Sequence, residues 1–403
     1  MASVLRIFKP RSPTIHEDDH VYPLHLLDLP KPMTGFMITT LLFNDQLDPE
    51  VLHQSLSRLL SIGNWRKMSC RKSGYYEMHA PPAFTTTRPP FVFTTNSSLQ
   101  TTSISSHPIL SRMPTTQTLS TPHTAPCNDE AFLPFALRPD FPRTISQALD
   151  KDIPLLSLHV TTLSDATLVG LSWCHLLADA LGLQALLHSW SLVMAGQESR
   201  VPPILDPQTD MVLQVEQEAT KQEMAGLARL QPSEIIAAQN LMTTFQIILY
   251  AIKTIFQSLT QPAWEERLIY LPHNVASPLV TSIKEKANLA SPPFIRTGDA
   301  LTAWFTKLTA SFSPSPISLI PFVNIRYQFP SLLPTTKLQG VHLQNMLVYL
   351  HVRLTGTLAK DVPDIAAEWK RQTVQQREQP ASRLHTQAQG GNIPRHALSI
   401  HPR

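Results

Sequence analysis

The stretch from Thr167 to Glu198 constrains the fold of this chain more than any other. It begins with a short, bounded apolar run, Leu168–Cys174, of the kind that forms a buried strand. Apolar residues then recur at steps of three and four, as on one face of a helix, at Leu181, Ala185, Leu186, Trp190, Val193 and Met194. Gly196 follows as a helix stop. The sequence therefore predicts a buried strand that leads directly into a helix.

His175 and Asp179 lie where this strand gives way to the helix. Such a junction can hold a side chain at the edge of a pocket on rigid backbone. Histidine is the side chain best suited to take up and return a proton near neutral pH. A simpler interpretation makes His175 a hydrogen-bonded core histidine and Asp179 a helix N-cap. Periodicity alone favours this simpler interpretation, because a single His/Asp spacing is weak evidence of a site.

The sequence of residues 172–182, S-W-C-H-L-L-A-D-A-L-G, resembles the H-x-x-x-D-G signature of BAHD-type acyltransferases, which use acyl-CoA donors. The resemblance is greatest to their fungal secondary-metabolism branch, in which alanine often follows the aspartate and glycine comes later. Here those residues are Ala180 and Gly182. Condensation domains of peptide synthetases share the signature but usually carry a second histidine before the first. Cys174 occupies that position and argues against them.

The resemblance implies roles for the residues of the junction and for one distant arginine. His175 would be the general base. Asn324-Ile325-Arg326 looks like the family's N-x-R segment, so Arg326 is expected to pair with Asp179 and tie the two halves of the protein together. The alternative for Arg326 is an ordinary surface arginine.

Four further residues are expected near substrate or CoA. The segment Arg296–Trp304 resembles a family segment that lies near the acyl-CoA tunnel, and helix capping is the plain alternative for its Thr297 and Asp299. Trp173, beside the histidine, and Asn324 complete the set. His159, by contrast, is expected to be structural.

The resemblance also implies the fold, an α/β (mixed α+β) architecture of two chloramphenicol-acetyltransferase-like domains. Each would be a mixed sheet with flanking helices. The expected boundaries are 1–200 for the N-terminal domain, 201–265 for a crossover linker with helices, and 266–403 for the C-terminal domain. The late D-F-G-W-G-type motif is absent, and residues 382–403 lack strand or helix periodicity. We therefore expect an incomplete second domain with an irregular tail and reduced stability.

Composition excludes several other classes of protein. The 403 residues suffice for two ordinary domains. A net charge of +3, with scattered Lys and Arg, offers no basis for a nucleic-acid partner. The three cysteines form no C-x-x-C motif, so we expect reduced thiols, no metal site and a cytoplasmic location; they are Cys70, Cys127 and Cys174. The N-terminal segment has no apolar signal core.

Three local patterns complete the prediction. The apolar run Leu241–Phe256 contains Gln246 and Lys253 and falls short of the ~20 residues of a spanning helix, so we expect a buried or lid helix without membrane contact. The Thr-, Ser- and Pro-rich stretch Thr85–Pro126 is expected to be an exposed, mobile loop. Ser69 and Cys70 replace two glycines of the family pattern, so the turn there is strained if it requires positive φ.

The function implied by the resemblance is acyl transfer, with acetylation expected, from acyl-CoA to an alcohol or amine of an alkaloid, terpenoid or similar fungal metabolite. Acyl-CoA is a co-substrate; no bound cofactor is expected, and the enzyme would be a monomer. Two alternatives stay open. One is a catalytically inactive remnant, which the missing late motif supports. The other is a condensation-type enzyme that uses a carrier-protein thioester, although no basic docking patch for a carrier is evident.

Overall fold

The computed structural model describes residues 16–29, 31–73, 77–113, 120–126, 129–151, 153–214, 217, 244–260, 267–287, 294–311, 317–326, 340–356 and 360–378. Its strands are β1 His20–Pro23, β2 Phe36–Phe43, β3 Arg71–Ser73, β4 Glu77–Ala80, β5 Val92–Asn96, β6 His123–Pro126, β7 Leu156–Thr162, β8 Thr167–Cys174, β9 Arg267–Tyr270, β10 Ile317–Leu319, β11 Phe322–Asn324, β12 Leu347–Tyr349 and β13 Val352–Leu354. Its α-helices are α1 Pro49–Leu60, α2 Leu133–Ala136, α3 Ile145–Lys151, α4 Ala180–Met194, α5 Thr244–Thr260, α6 His273–Lys286, α7 Thr297–Ala310 and α8 Val362–Glu378. Several small sheets with flanking helices give the mixed α+β class that the sequence predicts.

The largest sheet in the described part of the chain has four strands in the order β2-β8-β7-β5. A hairpin lies at its centre, since β7 and β8 pair antiparallel from Leu156↔Trp173 to Thr162↔Thr167. Every residue of both strands is buried. Continuous burial explains why β8 reads as an apolar run without alternation. The strand that leads to His175 thus lies inside the protein.

Helices cover both faces of this sheet. Helices α1 and α4 pack together, and the indole nitrogen of Trp190 donates to the Ser55 hydroxyl at 2.8 Å. Helix α2 lies against the opposite face, where Ala136 approaches Gly170 of β8. Asp48 caps helix α1, since its side chain accepts from the Glu50 amide at 2.8 Å.

The C-terminal part of the chain packs onto the N-terminal part through shared apolar clusters. Leu343 belongs to the main core together with β7, β8 and α4. Leu26 belongs to a second cluster with Val323, Ile325 and Met346. A third cluster lies among α6, α7, α8 and β13. Residues far apart in sequence therefore meet near the end of β8.

The expected loop Thr85–Pro126 contains more structure than the sequence predicts. Val92–Asn96 is the fourth strand of the main sheet and pairs parallel with β7, while Phe91 is buried in the core. His123–Pro126 pairs antiparallel with β9. The prediction of an unstructured loop is wrong here because partners distant in sequence supply the pairing of short Thr-rich strands.

The helix expected between Leu241 and Phe256, as a buried or a lid helix, spans Thr244–Thr260 in the structure and is exposed, so the buried alternative is wrong. Its apolar side chains face outward, and Phe245 is 68% and Leu259 is 79% exposed. No helix among the described residues is long and apolar enough to cross a membrane. Most of the expected crossover segment, the tail 382–403 and Cys127 lie outside the described residues.

The turn at Ser69 and Cys70 carries no backbone strain. It forms a 3-10 helix over Gly63–Ser69, and Cys70 has extended backbone with φ −63° and ψ 150°. L-residues adopt that conformation readily. The glycines of the family pattern are therefore not needed for positive φ at Cys70, and the expected strain is absent there.

A substitution at Gly170 tests the packing of the main sheet. A methyl group at this position would lie 2.8 Å from the carbonyl carbon of Ala136, which belongs to main chain and cannot rotate away. We expect Gly170→Ala to lower the free energy of unfolding by about 1–3 kcal/mol, as overpacking does. Urea denaturation measures this.

Gly298→Ala is the matched control, since no atom lies within 4 Å of the added methyl group and the residue is helical. It should leave stability unchanged or raise it slightly. Equal loss in both variants would show that α2 does not pack on β8 as described.

Candidate active site

The junction after β8 is built by main-chain hydrogen bonds from several segments. The amide of Cys174 donates to the Leu155 carbonyl at 2.9 Å, which continues the hairpin ladder. The next amide, that of His175, donates to the Gly35 carbonyl at 2.9 Å. Across the turn, the indole nitrogen of Trp173 donates to the Ala178 carbonyl at 3.0 Å. These bonds hold the turn as a compact unit between β8 and α4.

His175 is the only residue of the run from Thr167 to Asp179 that is not fully buried. Its Nδ1 atom is buried and has no hydrogen-bond partner among the described residues. No hydrogen bond at Nδ1 therefore fixes the ring. Its direction depends on the main chain and on packing.

Asp179 caps helix α4 as the simpler sequence interpretation predicts. Its Oδ1 accepts from the amides of Leu181 at 3.1 Å and Gly182 at 3.0 Å. Its backbone is extended, with φ −82° and ψ −175°, as at an N-cap. The side chain is fully buried. A buried carboxylate needs further partners, because burial of an unpaired charge is costly.

Those partners come from Arg326. Its two terminal nitrogens donate to the two carboxylate oxygens of Asp179, each at 2.9 Å, across 147 residues of sequence. The guanidinium also donates to the main-chain carbonyls of His342 at 3.2 Å and Gln344 at 2.7 Å. The side chain of Asn324 accepts from the same arginine at 3.3 Å. Arg326 is thus a buried, fully engaged cation rather than a surface arginine.

Three consecutive residues of one segment, Gln344 to Met346, contact this turn or its partner Arg326. The carbonyl of Gln344 binds Arg326, as above. The Asn345 amide nitrogen Nδ2 donates to the main-chain carbonyl of His175 at 3.0 Å. The amide of Met346 donates to Asp179 at 3.1 Å. The segment therefore fixes both ends of the His-x-x-x-Asp turn.

A second buried carboxylate, Asp28, lies behind Asn345. It accepts from the Asn345 side chain at 2.5 Å and from the His25 amide at 2.9 Å. Burial alone would raise the pKa of Asp28, but the His25 side chain and the charge of Lys67 hold that pKa below its ordinary value. Lys67 is itself completely buried, and burial lowers its pKa against the opposing effect of Asp28.

The residues expected at CoA lie in two places. Asn324 lines a cleft of about 300 Å³ together with Arg326 and His342, opposite residues of α4; His175 is not among its lining residues. Thr297 and Asp299 begin α7. Asp299 accepts from the Arg296 amide at 2.8 Å, so it caps that helix as the plain interpretation predicts.

Asp299 also joins α7 to α8. It accepts from the Trp369 indole at 3.1 Å and from Lys370 at 2.8 Å. Burial raises the pKa of Asp299, but these hydrogen bonds outweigh burial and lower it. Thr297 is exposed and accepts from Lys284 at 3.1 Å. Within the described residues, these side chains form no hydrogen bond or ion pair with the His175 turn.

Sequence reasoning missed Asp28 and Lys67 and assigned no role to Asn345. Each carried a weak signal in the sequence. Asp28 is the one acidic residue in the apolar run Val21–Leu29, and Lys67 lies within the tryptophan-containing segment before Cys70. A charged residue inside an apolar pattern indicates a buried pair, but its partner cannot be identified from the sequence.

The described residues include no group of three or more His, Cys, Asp and Glu side chains placed to hold a metal ion. No protein-family profile matches the chain. The chain is similar to individual curated proteins and to individual solved structures.

The curated proteins are fungal acetyltransferases. Acetyltransferase BOT5 of Botryotinia fuckeliana is 32% identical over 340 residues, which cover 82% of this chain and 60% of that protein. O-acetyltransferase PaAT-2 of Phomopsis amygdali is 30% identical over 335 residues, which cover 78% of this chain and 66% of that protein. The chain therefore spans about 60% to 66% of the length of these relatives.

The solved structures share the fold. TRI101 of F. graminearum, in complex with coenzyme A and T-2 mycotoxin, matches with a TM-score of 0.56 at 13% identity, over 92% of this chain and 77% of that one. Vinorine synthase matches with a TM-score of 0.51 at 15% identity, over 97% and 78%. At this identity the likeness shows architecture alone. It is the chloramphenicol-acetyltransferase-like α+β fold that the sequence predicts.

The contribution of the buried ion pair to stability can be measured with Arg326→Met. This change leaves the Asp179 carboxylate buried and without its cation, so we expect a loss of about 3–5 kcal/mol in the free energy of unfolding. Chemical denaturation of the purified protein measures this loss.

Arg58→Met is the matched control. Arg58 binds Glu198 through two nitrogens, as Arg326 binds Asp179, but both partners are exposed. Solvent screens such a pair, so little change in stability is expected. A loss for Arg326→Met no larger than that for Arg58→Met would contradict the buried pair.

Proposed function

We propose that this chain, a relative of the fungal acetyltransferases with the fold of BAHD-type acyltransferases, is an acyl-CoA-dependent acyltransferase. In this proposal it transfers an acyl group, acetyl in the first place, to a hydroxyl or amine of a fungal secondary metabolite such as an alkaloid or terpenoid alcohol. His175 acts as the general base. Acyl-CoA is a co-substrate, and the enzyme works as a cytoplasmic monomer.

The observation that carries this proposal is the geometry at the end of β8. His175 is partly exposed, while the strand before it and the turn after it are buried and held by hydrogen bonds from distant segments. A base must be held close to one geometry to act, and supporting contacts of this kind provide that. An ordinary core histidine would not need such a surrounding.

The chemistry follows from the properties of imidazole. A neutral His175 takes the proton of the acceptor hydroxyl as its oxygen attacks the thioester carbonyl, which gives a tetrahedral oxyanion. The oxyanion collapses, the carbon–sulfur bond breaks, and the sulfur takes the proton back from His175. An ester and CoA thiol result, with the base regenerated. Proton transfer of this kind typically contributes ~10²–10⁴-fold to the rate.

The comparisons support the reaction class and the substrates. The two curated relatives are named acetyltransferases. TRI101, which shares the fold, binds coenzyme A and T-2 mycotoxin in its solved structure. A second TRI101 structure contains ethyl coenzyme A. A thioester donor and a small acceptor are therefore the substrates to test first.

We assign Asp179 and Arg326 the role of holding the active-site turn rather than moving protons. Both carboxylate oxygens of Asp179 already accept hydrogen bonds, from the helix amides, the Met346 amide and Arg326. Trp173 and Asn324 use their polar atoms within the same support, toward Ala178 and Arg326. Their contacts favour a positioning role over direct contact with substrate.

Thr297 and Asp299 remain our candidates on the CoA side. Thr297 is exposed, so its hydroxyl is accessible to a ligand, whereas Asp299 is engaged by Arg296, Trp369 and Lys370. We propose that Asp299 shapes the start of α7 and that Thr297 offers the polar contact. The D-F-G-W-G-type motif is dispensable in this proposal, because the base does the proton transfer.

The test is release of thiol from acetyl-CoA by the purified protein, against a panel of alkaloid and terpenoid alcohols. We expect release that depends on an acceptor and that falls ~10²–10⁴-fold in His175→Ala. His273→Ala, at an exposed histidine of α6, is the control and should keep full activity.

If a protein that unfolds cooperatively releases no thiol, the proposal is overturned in favour of an inactive relative. Activity that survives in His175→Ala would show acyl transfer by another base. Release that required a carrier-protein thioester in place of acetyl-CoA would favour the condensation-type alternative.

A further inference from the structure

We propose that Asn345, held by Asp28, is a positioning residue that sets His175 through its main-chain carbonyl, as a tie separate from the Asp179–Arg326 pair. The inference rests on the proposed function of His175. It concerns residues that lie outside the His-x-x-x-Asp motif and the N-x-R segment. It is carried by the direction of the hydrogen bonds around one side-chain amide.

The amide nitrogen of Asn345 uses both of its hydrogens. One goes to Asp28 at 2.5 Å and the other to the His175 carbonyl at 3.0 Å. Both acceptors are oxygens, so the amide can only lie with Nδ2 toward them, because the opposite orientation would place three oxygens together. Asp28 therefore decides which end of Asn345 faces His175.

Asp28 is itself fixed from two sides. The backbone amides of His25 and Asn345 donate to it at 2.9 and 3.3 Å. Against the effect of burial, the His25 side chain and the charge of the buried Lys67 lower the pKa of Asp28, although Lys67 Nζ makes no hydrogen bond among the described residues. A carboxylate with no exposed surface needs such a cation to remain ionised. Lys67 thus supports the Asn345 contact indirectly, through its effect on the charge of Asp28.

This tie fills a gap in the support of His175. The ring nitrogen Nδ1 has no hydrogen-bond partner among the described residues, so within them the main chain and packing set the direction of the ring. The amide of His175 is held by Gly35, and its carbonyl is held by Asn345. With both peptide groups fixed, the side chain starts from a defined backbone. Displacement of a reacting group by about 1 Å can cost 10²-fold in rate.

The tie also joins residues that lie 317 positions apart. Asp28 precedes β2, His175 follows β8, and Asn345 precedes β12. The Asp179–Arg326 pair also joins residues far apart in sequence, but it contacts the helix side of the turn. Asn345 contacts the histidine itself, so loss of this tie should affect turnover more than it affects binding.

The decisive experiment compares Asn345→Asp with the double variant Asp28→Asn/Asn345→Asp. The single change sets two carboxylates against each other and should lower the melting temperature. The double change restores an amide-to-carboxylate hydrogen bond in the reverse direction, so the melting temperature should recover in part. Recovery is partial because the side chain of Asp28→Asn keeps one oxygen for the two main-chain amides that donate to Asp28. Neither variant has a side-chain N–H at position 345 to donate to the His175 carbonyl.

We expect both variants to show kcat for acetyl-CoA-dependent transfer reduced by about ten- to a hundred-fold, with KM for acetyl-CoA changed less than about two-fold. Recovery of the melting temperature without recovery of kcat supports the proposal. Recovery of both together would overturn it, since the pair would then act only on stability. Asn274→Asp, at an exposed asparagine whose amide lies 3.4 Å from the Ser120 carbonyl, is the control and should leave both unchanged.

Hydrogen exchange separates this inference from the proposed function, because it requires no activity. The amide of His175 is protected by Gly35 in the structure, and loss of the tie should speed exchange over residues 175–178 only. Unchanged exchange there would overturn the proposal even in an active enzyme. Faster exchange there would support the tie even if the wild-type protein transfers no acetyl group.

Asn345→Ala provides the same comparison if the charged variants do not fold. It removes the donor to His175 without adding a charge. Faster exchange confined to residues 175–178, with lowered kcat where the wild type is active, supports the proposal. Unchanged exchange, or kcat within about two-fold of an active wild type, contradicts it.

Discussion

The ion pair between Asp179 and Arg326 is the interaction on which the rest of the site depends. Both side chains are buried, at 0% and 5% exposure, so each would be costly without the other. The pair is satisfied only because the start of α4, Asn324, and the main chain between residues 342 and 346 converge on it. The pair therefore holds the start of α4 against the segments that contain residues 324–326 and 342–346, and it also holds the turn itself. Buried pairs do more for specificity of arrangement than for net stability in several proteins, and the convergence of donors here favours that role.

This arrangement suits the proposed role of His175 as a general base. The strand before it is buried on both faces, the turn after it is capped, and the segment 344–346 crosses behind it. Rigid elements hold a reacting side chain more closely than loops do. A fold of this kind can keep one histidine partly exposed while the residues around it are buried. The proposed chemistry uses that exposure to bring acceptor and thioester to the ring.

Local pattern predicts the strand, the junction and the cap at Asp179, since each depends on neighbours within a few residues. The partner of Asp179 came from the family resemblance, because no local rule links residues 147 positions apart. Asn345 and Asp28 escaped prediction for the same reason. The strand Val92–Asn96 was missed because its partner β7 supplies the order that a short Thr-rich segment lacks. The local sequence pattern thus predicts helices and strands better than it predicts which of them pack together.

The most direct measurement is a crystal structure of the protein with CoA, in which the distance from His175 Nε2 to the CoA sulfur is read. A base that returns its proton to the leaving thiolate must lie within hydrogen-bond reach, so we predict a separation of about 4 Å or one bridging water. CoA bound with its sulfur farther away than one water can span would contradict the role of His175, whatever the fold.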